Sequence, residues 1–202
     1  MTTVASIEAQ RTRIVGRGIP LPGNDIDTDR IIPARVLKDV TFTTMGEHVF
    51  ADARKQNPEH PFNSAAYRGA SVLVVGQNFG YASSREHAPQ ALMRWGIRAV
   101  VGGSFGEIFF GNCVMLGIPC VVATQADLEW LQKAIGRAPQ ESVTVDVEAQ
   151  EVRFGDRVIK ATLPDGPRHQ LVGGTWDSTA MLLEAGGAIE ATARRLPYLA
   201  EF

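Results

Sequence analysis

Three short apolar runs in the middle of the chain, each followed by a stretch with helical spacing, constrain its fold more than any other feature. The runs are rich in Val and Ala and punctuated by glycine or proline, which is typical of buried strands. Alternation of such strands with helices predicts a parallel sheet with right-handed crossovers. The predicted strands are residues 72–75, 99–101 and 119–123, and the predicted helices are residues 84–95, 107–116 and 126–135.

The sequence changes character after Pro139, where apolar and polar residues alternate. Such alternation, interrupted by Gly155 and Asp156, predicts hairpin-linked antiparallel strands. The fold class is therefore α/β, with a mostly parallel central sheet and an additional antiparallel strand-rich part. The other predicted elements are antiparallel strands at 143–147, 151–154 and 157–161, a first strand at 12–18, and a last helix at 179–195 capped by Asp177 or Ser178.

Size and charge restrict the classes of protein to which the chain can belong. Its 202 residues, 45% apolar and 21% charged, suit a single globular domain, with residues 1–12 as a frayed leader. The net charge of -2 offers no electrostatic case for nucleic acid as a partner. No apolar run approaches the roughly 18 residues of a membrane span, and the N-terminus lacks the features of a secretion signal. We therefore expect a cytoplasmic protein without a membrane partner.

Residues 78–87 form the turn between the first of these central strands and its helix, and we call them the site turn. We expect Ser83 or Ser84 to be the N-cap of the helix, with Pro89 tolerated in the first turn. The free N–H groups of a helix start favour an anion, and Arg85 adds a fork that can hold a carboxylate or phosphate. The alternative is an ordinary helix cap without a ligand.

Two other polar segments lie before the site turn. Residues 25–30 alternate acidic residues with Ile or Thr, so they form either a solvated turn or a polar lip on which Thr28, Asp29 and Arg30 face a ligand. Their spacing does not match an EF-hand loop, and we expect no metal there. Residues 38–68 show little periodicity, which predicts an irregular loop of a length that is often functional.

Three motifs resemble the swivel domain of the aconitase superfamily. They are DIDTDRIIP at residues 25–33, GYASSREHA at residues 80–88 and SFGEIFFGN at residues 104–112. Their order and spacing, and the chain length, are similar to those of the small subunits of bacterial 3-isopropylmalate dehydratases, isomerases of leucine biosynthesis. The resemblance covers most of the chain from Gly18 onward. It implies one swivelling β/β/α domain over residues 1–202, with residues 38–68 as a mobile loop that helps to choose the substrate.

The resemblance also implies a reaction and roles for the site turn. The reaction removes water from a 2-hydroxy dicarboxylate or tricarboxylate and adds it back at the neighbouring carbon. Ser83 would be the catalytic base, Arg85 would clamp a substrate carboxylate, and Ser84 would either contact the ligand or only cap the helix. Glu86 would be structural, pairing with backbone or with an arginine. His87 would be a hydrogen-bonded structural residue that orients a neighbour, or it would bridge to the partner subunit. Ala82 stands where relatives often have Gly, and we expect its methyl group only to tighten the turn slightly.

The cofactor implied by the resemblance is a [4Fe-4S] cluster, which requires several Cys thiolates. The chain has two cysteines, Cys113 and Cys120, so the cluster must sit on the large subunit of the enzyme and none is bound here. The expected partners are that large subunit and a small hydroxy-dicarboxylate substrate. The same architecture could instead act on homoaconitate or on citraconate and 2-methylmalate, or it could be a non-catalytic anion-binding module.

Four further candidate residues lie outside the site turn and the polar segment at residues 25–30. Asn112 is expected to tie its helix to a loop, and Glu107 is a weaker candidate. Arg168 and His169 are expected in a polar turn before Leu171, where Arg168 is most simply a surface residue; the alternative is that this part of the chain meets the large subunit.

Overall fold

A single mixed sheet of seven strands organises the chain, of which the computed structural model describes residues 9–38, 42–82 and 84–199. The strand order is β4-β3-β2-β1-β5-β6-β7, in which β1 to β4 run parallel and β5 to β7 pair antiparallel. This confirms the predicted α/β class and its two sheet regions. The strands are β1 (Arg13–Pro20), β2 (Val72–Val74), β3 (Ala99–Gly102), β4 (Cys120–Val122), β5 (Ser142–Asp146), β6 (Glu151–Phe154) and β7 (Arg157–Lys160).

Strand β1 joins the two regions because it changes partner along its length. Residues 13–17 pair antiparallel with β5, and residues 18–20 pair parallel with β2. The N–H of Leu21 donates to the carbonyl of Val74 at 2.8 Å. Because successive N–H groups of a strand point to opposite neighbours, the nitrogen of Pro20 faces the β5 side of the strand. Pairing with β5 ends at Arg17, before this position. A proline costs no ladder hydrogen bond there, so the strand extends two residues beyond its predicted end at Gly18.

The eight helices of the described residues fill the connections. They are α1 (Thr28–Ile31), α2 (Ala51–Gln56), α3 (His87–Trp95), α4 (Glu107–Met115), α5 (Gln125–Arg137), α6 (Asp165–Gly173), α7 (Ser178–Glu184) and α8 (Gly186–Ala193). The predicted cap at Asp177 is confirmed, since its carboxylate accepts from the N–H of Ala180 at 2.9 Å. The single last helix is wrong, because the chain breaks at Ala185 into α7 and α8. Within the described ranges, every helix falls short of the length and apolar character needed to cross a bilayer.

Strands β2 to β4 are buried on both faces almost throughout, which explains why their sequences are continuous apolar runs. Along β2 and the residue after it, Leu73 and Val75 belong to the core under α3 and α4, whereas Val72 and Val74 belong to the core under α5. The antiparallel strands add to the second core alone. The sheet is thus covered on both sides where it carries the site turn.

Much of the segment predicted as an irregular loop is folded. Residues 42–68 hold α2 and three short 3₁₀ turns, at Met45–His48, Pro61–Asn63 and Ala65–Tyr67. The rings of Phe50 and Phe62 lie 4.8 Å apart, and Phe62 lies 4.6 Å from the ring of Trp95 on α3. The apolar residues that anchor this segment are too widely spaced to form a periodic pattern. Residues 39–41 lie outside the described residues, and the role of a mobile substrate loop stays a prediction.

Candidate active site

The segments that carry the three motifs meet at the carboxyl ends of the parallel strands, the edge at which ligands bind in sheets of this kind. The site turn lies between the other two segments. On one side, the N–H of Gly80 donates to the carbonyl of Ile26 at 2.7 Å, and the N–H of Thr28 donates to the carbonyl of Tyr81 at 3.2 Å. The location predicted from the order of strands and helices agrees with this arrangement.

The same turn is held on its other side by the motif that precedes α4. The N–H of Phe79 donates to the carbonyl of Ser104 at 3.1 Å, and the N–H of Gly106 donates back to the carbonyl of Phe79 at 2.9 Å. The hydroxyl of Ser104 also accepts from the N–H of Asn78 at 2.8 Å. Residues 78–81 are therefore fixed from two sides by backbone hydrogen bonds.

Asp25 and Asn78 brace the start of the turn, a role that the sequence reasoning missed. The side-chain amide of Asn78 donates to the carboxylate of Asp25 at 2.8 Å. Both residues have positive φ angles, 54° at Asn78 and 53° at Asp25. Asn and Asp tolerate this conformation better than other residues with a Cβ, which is the signal that could have identified them.

Gly80 and Ala82 both have a φ of 76°. At Gly80 a Cβ would come within 2.6 Å of Cδ2 of Phe109, so the position excludes any side chain. Ala82 is exposed, and its cost is conformational, because an L-residue is strained by about 1–2 kcal/mol in the left-handed region. The expectation that the Ala82 methyl only tightens the turn sterically is therefore wrong.

Asp29 and Arg85, predicted separately as ligand-facing residues, form an ion pair. Nη1 of Arg85 donates to Oδ1 of Asp29, across 56 positions of sequence. The side chain of Arg85 is 30% exposed and that of Asp29 is 56% exposed. Among the described residues, Nε and Nη2 of Arg85 donate to no other group, so a guanidinium edge remains for a carboxylate from solution.

The other two residues of this lip are placed differently from each other. Thr28 is 1% exposed, and its hydroxyl has no hydrogen-bond partner among the described residues. Its burial gives no support to a ligand-facing role. Arg30 is exposed beside Asp29, and its backbone N–H donates to the carboxylate of Asp27 at 2.7 Å, which caps α1. Arg30 therefore has a fixed backbone and an accessible guanidinium.

Helix α3 begins later than expected. It starts at His87, and its N-cap residue, Glu86, makes no side-chain capping bond. The prediction that Ser83 or Ser84 caps a helix from residue 84 is therefore wrong. Pairing with both neighbouring segments holds the chain until residue 81, and only after residue 86 do helical hydrogen bonds begin. Ser84 is exposed, and Ser83, the predicted base, lies outside the described residues.

The late helix start also weakens the predicted anion site. Pro89 lies in the first turn and has no N–H, and the N–H of Gln90 already donates to the carbonyl of Glu86 at 3.1 Å. The free donors are thus those at the first residues of α3, three positions beyond Ser84. Glu86 itself accepts from the side chain of Gln90 at 2.7 Å, so its partner is neither backbone nor an arginine.

His87 packs instead of forming the structural hydrogen bond that we expected at its ring. The ring lies 5.4 Å from that of Phe42, and Nδ1 is buried without a hydrogen-bond partner in the described part of the chain. The guanidinium of Arg94 also lies over Phe42, 5.3 Å from its ring centroid. His87 thus connects α3 to the segment after residue 41.

The remaining candidates lie apart from one another, and one of them borders a cleft of about 500 Å³ between α3, α4 and the start of α7. Asn112 lines this cleft, and its side chain makes no hydrogen bond to any described residue, so the expected tie to a loop is absent. Arg168 lies in α6, which begins at Asp165, and not in a polar turn. It pairs with the carboxylate of Asp165 at 3.3 Å. Glu107 is exposed at the start of α4.

The donor chemistry of the chain does not fit an iron–sulfur cluster. Both cysteines are buried. The pKa of the Cys113 thiol is raised well above its usual value, mainly because burial disfavours the thiolate and to a lesser extent because of its interaction with Cys120. Residues 9–38, 42–82 and 84–199 contain no group of three His, Cys, Asp or Glu side chains arranged to hold a metal. A [4Fe-4S] cluster is held by Cys thiolates, usually four of them. What the site offers is guanidinium and hydroxyl groups, which suit carboxylates.

Comparison with known proteins agrees with this site. Residues 10–125 match the family described as the aconitase C-terminal domain. The chain is 50% identical over 192 residues to the 3-isopropylmalate dehydratase small subunit of Synechocystis sp. (95% of this chain, 96% of the relative). It is 47% identical over 191 residues to that of Thermus thermophilus (93% and 95%).

A solved structure gives the same assignment. The crystal structure of 3-isopropylmalate dehydratase from Methanocaldococcus jannaschii superposes with a TM-score of 0.66 at 26% identity. The match covers 87% of this chain and 99% of that one. Family match, full-length identity and shared fold lead to one conclusion: the chain belongs to the aconitase C-terminal domain family and, within it, to the 3-isopropylmalate dehydratase small subunits.

Proposed function

We propose that this chain completes the active site of a 3-isopropylmalate dehydratase, which interconverts 2- and 3-isopropylmalate by loss and return of water. The main support for this proposal is the ion pair between Arg85 and Asp29 at the carboxyl edge of the sheet, next in sequence to Ser84 and Arg30. Relatives that are 47–50% identical over 93–95% of this chain bear the name of that enzyme's small subunit. Active only with its large subunit, the chain would supply substrate-binding groups and the base.

Two cations at this edge suit a substrate with two carboxylates. We assign one carboxylate to the free edge of Arg85, which can bind it through two parallel hydrogen bonds. The exposed guanidinium of Arg30 is assigned to the other. Asp29 then acts as a positioning residue, because its contact with Nη1 fixes the plane of the Arg85 guanidinium. The negative charge of Asp29 also lowers the affinity of the empty site for unrelated anions, because it partly neutralises Arg85.

Ser83 is the proposed base that takes the proton from the carbon next to a carboxylate. A serine hydroxyl is far too weak an acid to act alone, so its oxyanion needs nearby positive charge and N–H donors. The start of α3 at His87 puts the helix N–H groups further along the chain than expected. We therefore assign this stabilisation to the positive charge of Arg85, because its N–H groups are already assigned to Asp29 and to the substrate carboxylate. The large subunit is the proposed carrier of the [4Fe-4S] cluster, which supplies a Lewis acid for the hydroxyl.

Reconstitution tests this function. The chain is mixed with the cluster-loaded large subunit, and turnover is measured with 2-isopropylmalate, homoaconitate and citraconate. We expect isopropylmalate to be the best substrate by kcat/KM. Turnover of homoaconitate or citraconate alone would move the function to that substrate. Binding of a dicarboxylate without any turnover would indicate an anion-binding module.

Arg85→Lys examines the proposed clamp within the same assay. Lysine keeps the charge but cannot form two parallel hydrogen bonds, so kcat/KM should fall by about 100-fold or more. Arg153→Lys is the matched control, since Arg153 also pairs with one carboxylate, that of Glu151 at 2.8 Å, on the distant strand β6. Equal turnover by the Arg85 variant and the control would contradict the clamp.

A further inference from the structure

Helix α4 has two apolar faces, of which only one is packed in the core. Phe109, Cys113 and Val114 are buried beneath it. On the opposite side, Ile108 is 52% exposed and Met115 is 58% exposed. Gly111 lies between them, and a Cβ there would meet no atom within 4 Å. Since these three residues are spaced by three and four positions, they form one exposed stripe, which we call the α4 face.

The α4 face borders the site turn at both of its ends. At the start of the helix, Gly106 packs so closely on the turn that a Cβ would lie 2.8 Å from Cα of Tyr81. At the end of the helix, Met115 lines the 500 Å³ cleft together with Glu86, the residue after Arg85. A protein that covers residues 84 and 85 from outside would therefore also cover the α4 face.

We propose that the α4 face is the surface on which the cluster-bearing large subunit docks. The identity of this partner rests on the proposed function, but the surface is chosen on geometry. A site that lacks its cluster half must receive that half at the edge that carries Arg85. Ile108 and Met115 of α4 place exposed apolar side chains along this edge. Exposed apolar stripes next to a site are typical of protein interfaces.

Charges around the stripe describe the partner surface further. Glu107 is exposed at the start of α4, and Glu86 and Asp177 line the cleft at its other end. Three carboxylates around an apolar centre suit a partner surface with an apolar centre and basic residues at its rim. Association should therefore become faster as the ionic strength is lowered.

Two substitutions with matched controls test this docking surface. Ile108→Glu and Met115→Lys place charges in the stripe, and each new charge suits its end of the helix dipole, so folding should be retained. The controls are Val158→Glu and Val15→Lys, because Val158 is 52% exposed and Val15 is 59% exposed on the antiparallel part of the sheet. Affinity for the cluster-loaded large subunit is measured by titration calorimetry, and the thermal midpoint of each isolated variant is measured alongside.

We expect the two α4 variants to bind the large subunit at least about 30-fold more weakly, as for loss of an interface hot spot, and the controls to bind within about twofold of the wild type. Wild-type affinity in both α4 variants would overturn the docking surface while leaving the proposed function intact. Leu183→Glu is included because Leu183, on α7, is 79% exposed. Weakening by that variant alone would move the interface to α7.

Two further outcomes are distinguished by the same set of proteins. If sedimentation shows that Ile108→Glu dissociates a homodimer but leaves large-subunit binding unchanged, the α4 face is a self-interface and the proposal fails. If the wild-type chain does not bind the large subunit, the proposed function itself fails. Should Ile108→Glu lower the thermal midpoint, Ile108→Ala replaces it, and wild-type affinity in that variant together with Met115→Lys would overturn the proposal.

Discussion

Gly80→Ala should destabilise the isolated chain more than any other single-methyl change in the site turn. Two costs add at this position. The φ of 76° costs an L-residue about 1–2 kcal/mol. The new Cβ would come within 2.6 Å of the Phe109 ring, and overpacking of this kind costs about 1–3 kcal/mol. Phe109 cannot easily yield, since it is 1% exposed and packs edge-on against Phe79 at 5.3 Å.

The sum, about 2–5 kcal/mol, is reduced by up to about 1 kcal/mol because Ala restricts the unfolded chain more than Gly does. The net cost is therefore about 1–5 kcal/mol. For a chain of this length, one kcal/mol corresponds to about 2–4 °C, so the thermal midpoint should fall by about 2–20 °C. The change should also reduce turnover in the reconstituted enzyme, because the N–H of Gly80 holds the turn to the carbonyl of Ile26.

Thermal and urea unfolding of the isolated chain measure this effect, with two controls. Gly111→Ala lies in an exposed part of α4 and should stabilise the chain by about 0.5–1 kcal/mol, as expected for a helix interior. The second control is Ala82→Gly, at a position with the same φ as Gly80. Since glycine relieves the strain there, it should stabilise the chain by up to about 1 kcal/mol. A Gly80→Ala protein as stable as wild type would refute the described turn and its contact with Phe109.

Two further predictions concern residues away from the site. Cys113 and Cys120 should react with a thiol reagent only after unfolding, because both are buried. Fast reaction of either thiol in the native chain would contradict the packing of α4 on β4. Asp127→Asn should lower stability at neutral pH by about 0.5–1 kcal/mol, since hydrogen bonds from Thr124 and then Arg157 lower the pKa of Asp127. The lowered pKa means that this stabilisation is present above pH 3.8 and is lost as the pH falls through the folded-state value, so urea unfolding at several pH values should show wild type and variant converging in acid.

Strands β2 to β4 were predictable because they are buried on both faces almost throughout, which leaves an uninterrupted apolar run in the sequence. The antiparallel strands were predictable from their alternation. Helix α6 was missed, because Asp165–Gly173 buries a single residue, Leu171, and contains two glycines and a proline. Such a helix has no periodic apolar face by which it could be recognised in the sequence.

The position of the site was predictable from chain order, but its contacts were not. Carboxyl ends of parallel strands share one edge, so the motifs were expected to converge. The pairing of Arg85 with Asp29 joins residues 56 positions apart, and no local pattern specifies such a partner. The delayed start of α3 has the same origin, since it follows from hydrogen bonds of the turn to segments distant in sequence.

The central claim is that a serine of the site turn is the base of a dehydratase whose other half is the large subunit. Single-turnover and steady-state rates of the reconstituted enzyme with Ser83→Ala and with its neighbour Ser84→Ala test it most directly, with assembly checked by sedimentation. We expect Ser83→Ala to lower kcat by about 10²–10⁴-fold, the usual cost of removing a base, and Ser84→Ala to lower it by far less. An assembled Ser83→Ala enzyme that turns over isopropylmalate at the wild-type rate would contradict the claim.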